Sequence, residues 1–191
     1  MGQDVDYWKK NYSFLWDRSS EREESIRKII EGKTGCVLEP FGLGAQSSDF
    51  LSGNAKSHNT EKGAPDFHVK GTNIYIEVTG SYSKFTKVGD NIWIRPDKLS
   101  YASGHAAKQD EFFVVVFTEA KAVYVIHFNQ ETIDYARQAF KNKSDYQIEK
   151  HQIRGALERY CAIHSNTKYV KDLNYLIQYL QEACKSNKHQ E

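Results

Sequence analysis

Cysteine is scarce in this chain, and the little there is has no order: Cys36, Cys161 and Cys184 are the whole complement of 191 residues. An odd number without paired or zinc-type spacing argues for thiols that pack, for a reducing compartment, and against disulfides. Long apolar runs are also missing. None approaches the roughly 20 residues needed to cross a bilayer, and the opening MGQDVDYWKK lacks the apolar centre of a signal peptide. Met1-Gly2 starts as a myristoylation signal does, but Asp6 stands where that signal takes Ser or Thr. A cytoplasmic protein without a membrane partner is expected. Charge of one sign is lacking too: the net charge is +1 with 27% charged residues, which excludes a global field for gathering polyanions. Any nucleic-acid surface must then be a local patch. No internal repeat is found.

The length suits one domain, or one domain with an appendage. DYWKKNYSFLW reads as an irregular packing arm, whose Tyr7, Trp8, Tyr12, Phe14 and Trp16 can pack or stack on bases. DRSSEREESIRKIIEGKTG has Ser and Asp caps, Ile26, Ile29 and Ile30 at helical spacing and a terminal Gly, the pattern of an amphipathic helix. CVLEPFG follows as a short strand. Residues 42–62, rich in Gly, Ser and Asn without periodicity, form a loop long enough to be functional. After two acid-bearing strands, Pro96 opens a helix, RPDKLSYASGHAAKQ, and the runs FFVVVFT and AVYVIHF read as strands. The expected order is α, β, β, β, α, β, β. From Asn129 onward the chain is expected to be mostly helical, with Ile133, Ala136 and Phe140 on one face and Val170, Leu173, Leu176, Ile177 and Leu180 on another. The division is therefore a core over 1–128 with its aromatic arm, and a helical extension over 129–191 packed on that core. Cys161 and His164 are spaced as zinc ligands can be, but no second pair completes a site, so Cys161 is expected to pack.

The stretch GAPDFHVKGTNIYIEVTG holds the chemistry. Ile74, Ile76 and Val78 alternate with Tyr75, Glu77 and Thr79, and Phe67 and Val69 alternate with Asp66, His68 and Lys70, so two strands set both acids opposite their apolar faces. A two-residue turn at Thr72 and Asn73 would place Asp66 opposite Thr79, His68 opposite Glu77 and Val69 opposite Ile76. His68 is then a strand filler or a group that orients Glu77. Two carboxylates on one face suit a hard divalent cation such as Mg²⁺, which needs one or two fixed acids plus a substrate phosphate. Phosphodiester hydrolysis is the natural chemistry of such a pair.

Pro65-Asp66 followed by Glu77-x-Thr79 in the next strand, inside that order of elements, resembles the PD-(D/E)XK nuclease superfamily, which includes restriction endonucleases and Holliday-junction resolvases. The resemblance covers roughly residues 17–128. It implies an α/β fold, a restriction-endonuclease-like αβββαβ core with a mixed central sheet flanked by helices. It also implies a nuclease dependent on Mg²⁺ or Mn²⁺, acting on DNA rather than RNA; a homodimer is a possible assembly, but the sequence does not give oligomeric state. On that pattern Asp66 and Glu77 match the metal ligands, Val78 lends its carbonyl, and Thr79 stands at the usual catalytic lysine position. The lysine is missing there, so its role falls to Lys98, at the start of the helix after Pro96, or to Lys84, with Lys98 preferred because a helix holds it. Many members also carry a Glu on the first helix. At about 100° per residue, Glu23 lies roughly 60° from the apolar arc and Glu21 and Glu24 more than twice as far, which selects Glu23 as a further metal ligand. Lys84, Lys87, Arg95 and Lys98 would gather phosphates around the site. The alternative is a degenerate nuclease-fold module that binds nucleic acid or a protein partner.

Overall fold

Nothing between Val5 and Glu31 can break a helix: that span holds neither Gly nor Pro, and α1 runs Val5–Thr34 without interruption. The computed structural model describes residues 5–42, 63–80, 91–106, 108–118, 122–141, 149–153 and 156–187. The stretch expected to be an irregular arm is therefore helical in its backbone, because helix propagation continues through aromatic residues where no breaker intervenes. The side chains of Tyr7 to Trp16, the loop at 43–62, Lys84, Lys87 and the side chain of Phe140 lie outside the described residues. At its far end α1 closes where the Gly35 N–H donates to the Glu31 carbonyl at 2.9 Å, a left-handed cap of the usual kind. Ile26 and Ile30 are fully buried, but Ile29 is 37% exposed. The inward arc is thus Glu23, Ile26 and Ile30, one face of the helix at three- and four-residue spacing.

Among the described residues the strands are β1 (Leu38–Pro40), β2 (Phe67–Val69), β3 (Ile74–Gly80), β4 (Asn91–Ile94), β5 (Glu111–Phe117), β6 (Val123–His127), β7 (Glu149–Ile153), β8 (Ala156–His164) and β9 (Val170–Asp172). The further helices are α2 (Pro96–Ala106), α3 (Gln130–Lys141) and α4 (Leu173–Asn187). A six-stranded sheet has the order β1-β2-β3-β5-β6-β9, and a smaller one has β4-β8-β7. Only β3 and β5 run parallel, Glu77 level with Val114; the other pairs are antiparallel. The large sheet is therefore mixed. Its central strand β5 gives Phe113 and Val115 to one core and Phe112, Val114 and Val116 to the other, which is why its sequence is apolar without alternation. α1 and α4 cover the first face with Ile26, Ile30, Leu176 and Leu180. α2, α3 and the small sheet cover the second with Leu99, Ala102, Ile133, Ile92 and Ile163.

The expectation of a mostly helical chain after Asn129 is corrected. Three strands lie there. β8 pairs with β4, Ile94 level with Cys161 and Ile92 with Ile163, while β9 extends the large sheet and takes Val170 out of the helix to which periodicity assigned it. The β4–β8 pairing joins residues 67 to 73 apart and the β6–β9 pairing residues 44 to 48 apart, and strand formation follows the partner more than local propensity. Cys161 is buried in this second core, and burial pushes its thiol up to about 12.

The expectation that no disulfide forms is also corrected. Cys36, just beyond α1, is bonded to Cys184 of α4, with Cα atoms 6.4 Å apart across a separation of 148 residues. α1 packs on α4, and Gln181 of α4 donates to the Lys33 carbonyl at 2.9 Å. That docking alone brings the cysteines within bridging range, and nothing in their spacing announces it.

Candidate active site

The two acids meet because the hairpin is longer than its sequence suggests. Phe67 pairs with Ile76 and His68 with Tyr75, a register shifted by two residues from the one a two-residue turn would set. The turn is built on 70–73: Gly71 takes a φ of +74°, and the Thr72 hydroxyl donates to the Val69 carbonyl at 2.7 Å while accepting from the Ile74 N–H at 3.0 Å. A left-handed glycine and a hydroxyl that closes both ends of the loop stabilise the wider turn. Because the shift is even, every side chain keeps its face. Asp66 moves level with Glu77 instead of Thr79, and its Oδ2 accepts from the Val78 N–H at 2.7 Å. Hence the carboxyls are closer than the shorter turn would have made them.

His68 does not lie beside Glu77. It opposes Tyr75, its Nε2 is 2.6 Å from the Thr72 carbonyl, and its ring packs with Phe41 and Tyr75. It braces the turn.

Glu77 projects from β3 toward α2 and is buried. Pro96 sets the first turn of α2, and Asp97 Oδ1 accepts from the Lys98 N–H at 3.1 Å, so the aliphatic stem of Lys98 starts from a fixed point. Its Nζ donates to Glu77 Oε2 at 2.7 Å and to the Ala64 carbonyl at 2.9 Å. Lys98 is buried as well. The close approach of the 63–66 segment to α2 requires Gly63, since a Cβ there would press 2.8 Å from the Asp97 carbonyl carbon and its φ is +87°. The structure thus brings Asp66, Glu77 and Lys98 together, with Thr79 half-buried on the next outward position of the same strand face. The Ala64 carbonyl is a partner that sequence reasoning missed; a backbone acceptor leaves no mark in residue identity.

Electrostatics follow from this crowding. Burial pushes the Asp66 carboxyl up to about 6, helped by the Glu23 charge and opposed by Lys98 and the Val78 N–H. Burial likewise pushes Glu77 up to about 8, with the Asp66 charge adding and the Lys98 ammonium opposing. Glu23, from α1, is only 4% exposed and near enough to raise Asp66. The Glu77 carboxyl is within hydrogen-bonding reach of Asp66, an arrangement that needs a shared proton or a cation between the two oxygens. Among the described residues, no group of three or more His, Cys, Asp or Glu is disposed to hold a metal ion. Arg95 is turned to Asp97 at 2.9 Å. Lys84 and Lys87 lie outside the described residues.

No protein-family profile and no curated protein is matched by this chain. Among solved structures, D212, a nuclease from a fusselovirus, is similar with a TM-score of 0.46 and 13% sequence identity, over 90% of this chain and 92% of that chain.

Proposed function

We propose that this protein is a metal-dependent nuclease of the PD-(D/E)XK type, hydrolysing phosphodiester bonds with Asp66, Glu77 and Lys98, and DNA rather than RNA as its substrate. One observation carries the reading: a buried ammonium, delivered from α2, sits 2.7 Å from Glu77, supplying the positive charge that the motif resemblance leaves missing at Thr79. The chain order α1, β1, β2, β3, α2, β5 supports the reading, with β4 between β3 and α2 and in the small sheet.

The donor set suits a hard cation. Asp66 and Glu77 would hold Mg²⁺ or Mn²⁺, with the Val78 carbonyl and Glu23 at its margin. Two mutually repelling carboxyls, Glu77 buried and Asp66 half-buried, whose proton affinities are raised by desolvation and crowding, are relieved by a divalent ion. Such an ion, when bound, polarises phosphoryl oxygens and makes a coordinated water more acidic. The chain's own residues do the rest. Two of the three Lys98 N–H donors are committed to Glu77 and Ala64, leaving one for a phosphate oxygen or the attacking water. The Val78 N–H holds Asp66 in one rotamer, and the walls of α2 exclude bulk water from Glu77, which strengthens each interaction there.

A second reading is a nuclease-fold module without catalysis. The direct Lys98–Glu77 pair favours it, because it satisfies Glu77 without a metal ion. Cleavage assays on supercoiled, linear and single-stranded DNA with Mn²⁺, in wild type, Asp66→Ala and Glu77→Ala, separate the two. Wild-type cleavage lost in both variants supports the nuclease; nucleic-acid binding with no cleavage by wild type supports the module.

A further inference from the structure

We infer that Arg22 of α1 is a phosphate clamp, holding the nucleic-acid backbone at the end of β3 beside the acids, and that Gly80 is glycine to seat it. The inference rests on the nuclease reading and extends it to a residue and a contact that the motif resemblance does not contain.

The geometry is specific. Gly80 is the last residue of β3, in ordinary strand pairing level with Phe117, and its φ is not among the positive ones. Its backbone therefore does not require glycine. The Arg22 placement does: a Cβ built there would overlap Nη1 and Cζ of Arg22 and lie 2.8 Å from Nη2, so a side chain at 80 has to displace the guanidinium. The guanidinium occupies the space where a side chain at 80 would stand, which restricts an arginine that otherwise loses much rotamer entropy on ordering. Arg22 is half-buried, yet among the described residues it has neither an ion pair nor a hydrogen bond. A planar cation so placed, without a counter-ion among the described residues, is set up for an anion with matching oxygens, and a phosphate group accepts two of its N–H donors at once.

Position names the anion. The adjacent residue, Glu23, faces inward to Asp66 while Arg22 faces Gly80, so one turn of α1 presents an acid to the candidate metal site and a cation to its rim. Gly80 is three residues beyond Glu77 along the strand, about 10 Å at strand rise, the rise of about three nucleotides in one strand of duplex DNA. Arg22 thus meets a phosphate about three nucleotides from the scissile one, on the same backbone.

Two measurements test it: duplex-DNA affinity across a salt series in chelator, where nothing is cleaved, and single-turnover cleavage in Mn²⁺. Arg22→Gln should lower the slope of log affinity against log salt by about 0.9, one phosphate contact, and slow cleavage by about tenfold or more. Gly80→Ala should do the same by displacing the guanidinium, and should add nothing in an Arg22→Gln background, since it acts only through Arg22. A purely structural role for Gly80 would instead add in the double variant and leave the salt slope alone. If wild type cleaves DNA and Arg22→Gln keeps its slope and rate, the clamp is wrong and the nuclease reading stands. If wild type neither binds nor cleaves, both fall.

Discussion

Glu77 and Lys98 face each other at 2.7 Å inside the protein, and each makes the other tolerable there. Lys98→Ala would leave Glu77 buried beside Asp66 with no ammonium; the carboxyl would hold its proton to higher pH. Cleavage should fall by about 10² or more, as loss of one preorganised electrostatic group typically does, while Mn²⁺ binding, followed by calorimetry, survives. In the same assay Thr79→Lys returns an ammonium to the strand that carries Glu77 and should restore part of the rate to Lys98→Ala. The acids give a pH signature of their own. Folded, Asp66 titrates at about 6 against 3.8 and Glu77 at about 8 against 4.5, so the native state holds more protons than the unfolded state from about pH 4 to 8. Stability therefore drops as pH rises through that window and levels off above it. Without divalent ions the protein should melt at a lower temperature at pH 8 than at pH 5, and an Asp66→Asn/Glu77→Gln variant should lose most of that difference. A wild-type melting temperature as pH-dependent as the variant's would contradict the raised proton affinity of these carboxyls. Added Mn²⁺ should raise the melting temperature more at pH 8, where the site no longer has to release protons to bind it.

The hairpin of β2 and β3 is the element that turns two acids into a pair. Its register depends on the 70–73 turn, and Gly71 at a φ of +74° is the residue a side chain would disfavour. No atom lies within 4 Å of a Cβ built there, so the cost of Gly71→Ala is conformational alone, about 1–2 kcal/mol. Urea denaturation should show that loss with an unchanged slope, and cleavage at low temperature should persist, because β3 is also held by its parallel pairing with β5. Of these elements α2 and β5 were legible beforehand: Pro96 marks the helix start, and FFVVVF can be dry on both sides only in a central strand. The parity of the hairpin was legible from alternation, but its register was not, since the Thr72 hydroxyl bonds that select the wider turn have no signature in apolar spacing. Glu23 was legible from helical angle alone, whereas the exposure of Ile29 was hidden by its apolar side chain.

At the scale of the whole molecule, α1 and α4 enclose one face of the sheet and the Cys36–Cys184 bond joins them. A bridge closing so long a loop restricts the unfolded chain strongly, and disulfides typically contribute about 2–4 kcal/mol. Dithiothreitol and the Cys36→Ser/Cys184→Ser variant should each lower the urea midpoint by an equivalent amount, with no further effect of reductant on the variant. Thiol titration of the denatured, unreduced protein should find Cys161 alone. Three free thiols, or a midpoint indifferent to reductant, would show that the two helices are held by packing only. Because α1 carries Glu23 and Arg22 at the site, loosening this tie should also weaken DNA binding, measured in the same salt series.

What the sequence by itself determined is local or periodic: the alternation that puts Asp66, Glu77 and Thr79 on one strand face, the helical angle that turns Glu23 inward, and the Pro96 start from which Lys98 reaches across. Each follows from a repeat of two or 3.6 residues and needs no knowledge of a partner. Tertiary structure decided everything that joins distant residues. It paired β4 with β8 and β6 with β9, brought Cys36 to Cys184, laid Arg22 on Gly80, and set the Lys98 ammonium between Glu77 and the Ala64 carbonyl. Those contacts are selected by the shared burial of two sheet faces, a property of the assembled chain that no single segment contains.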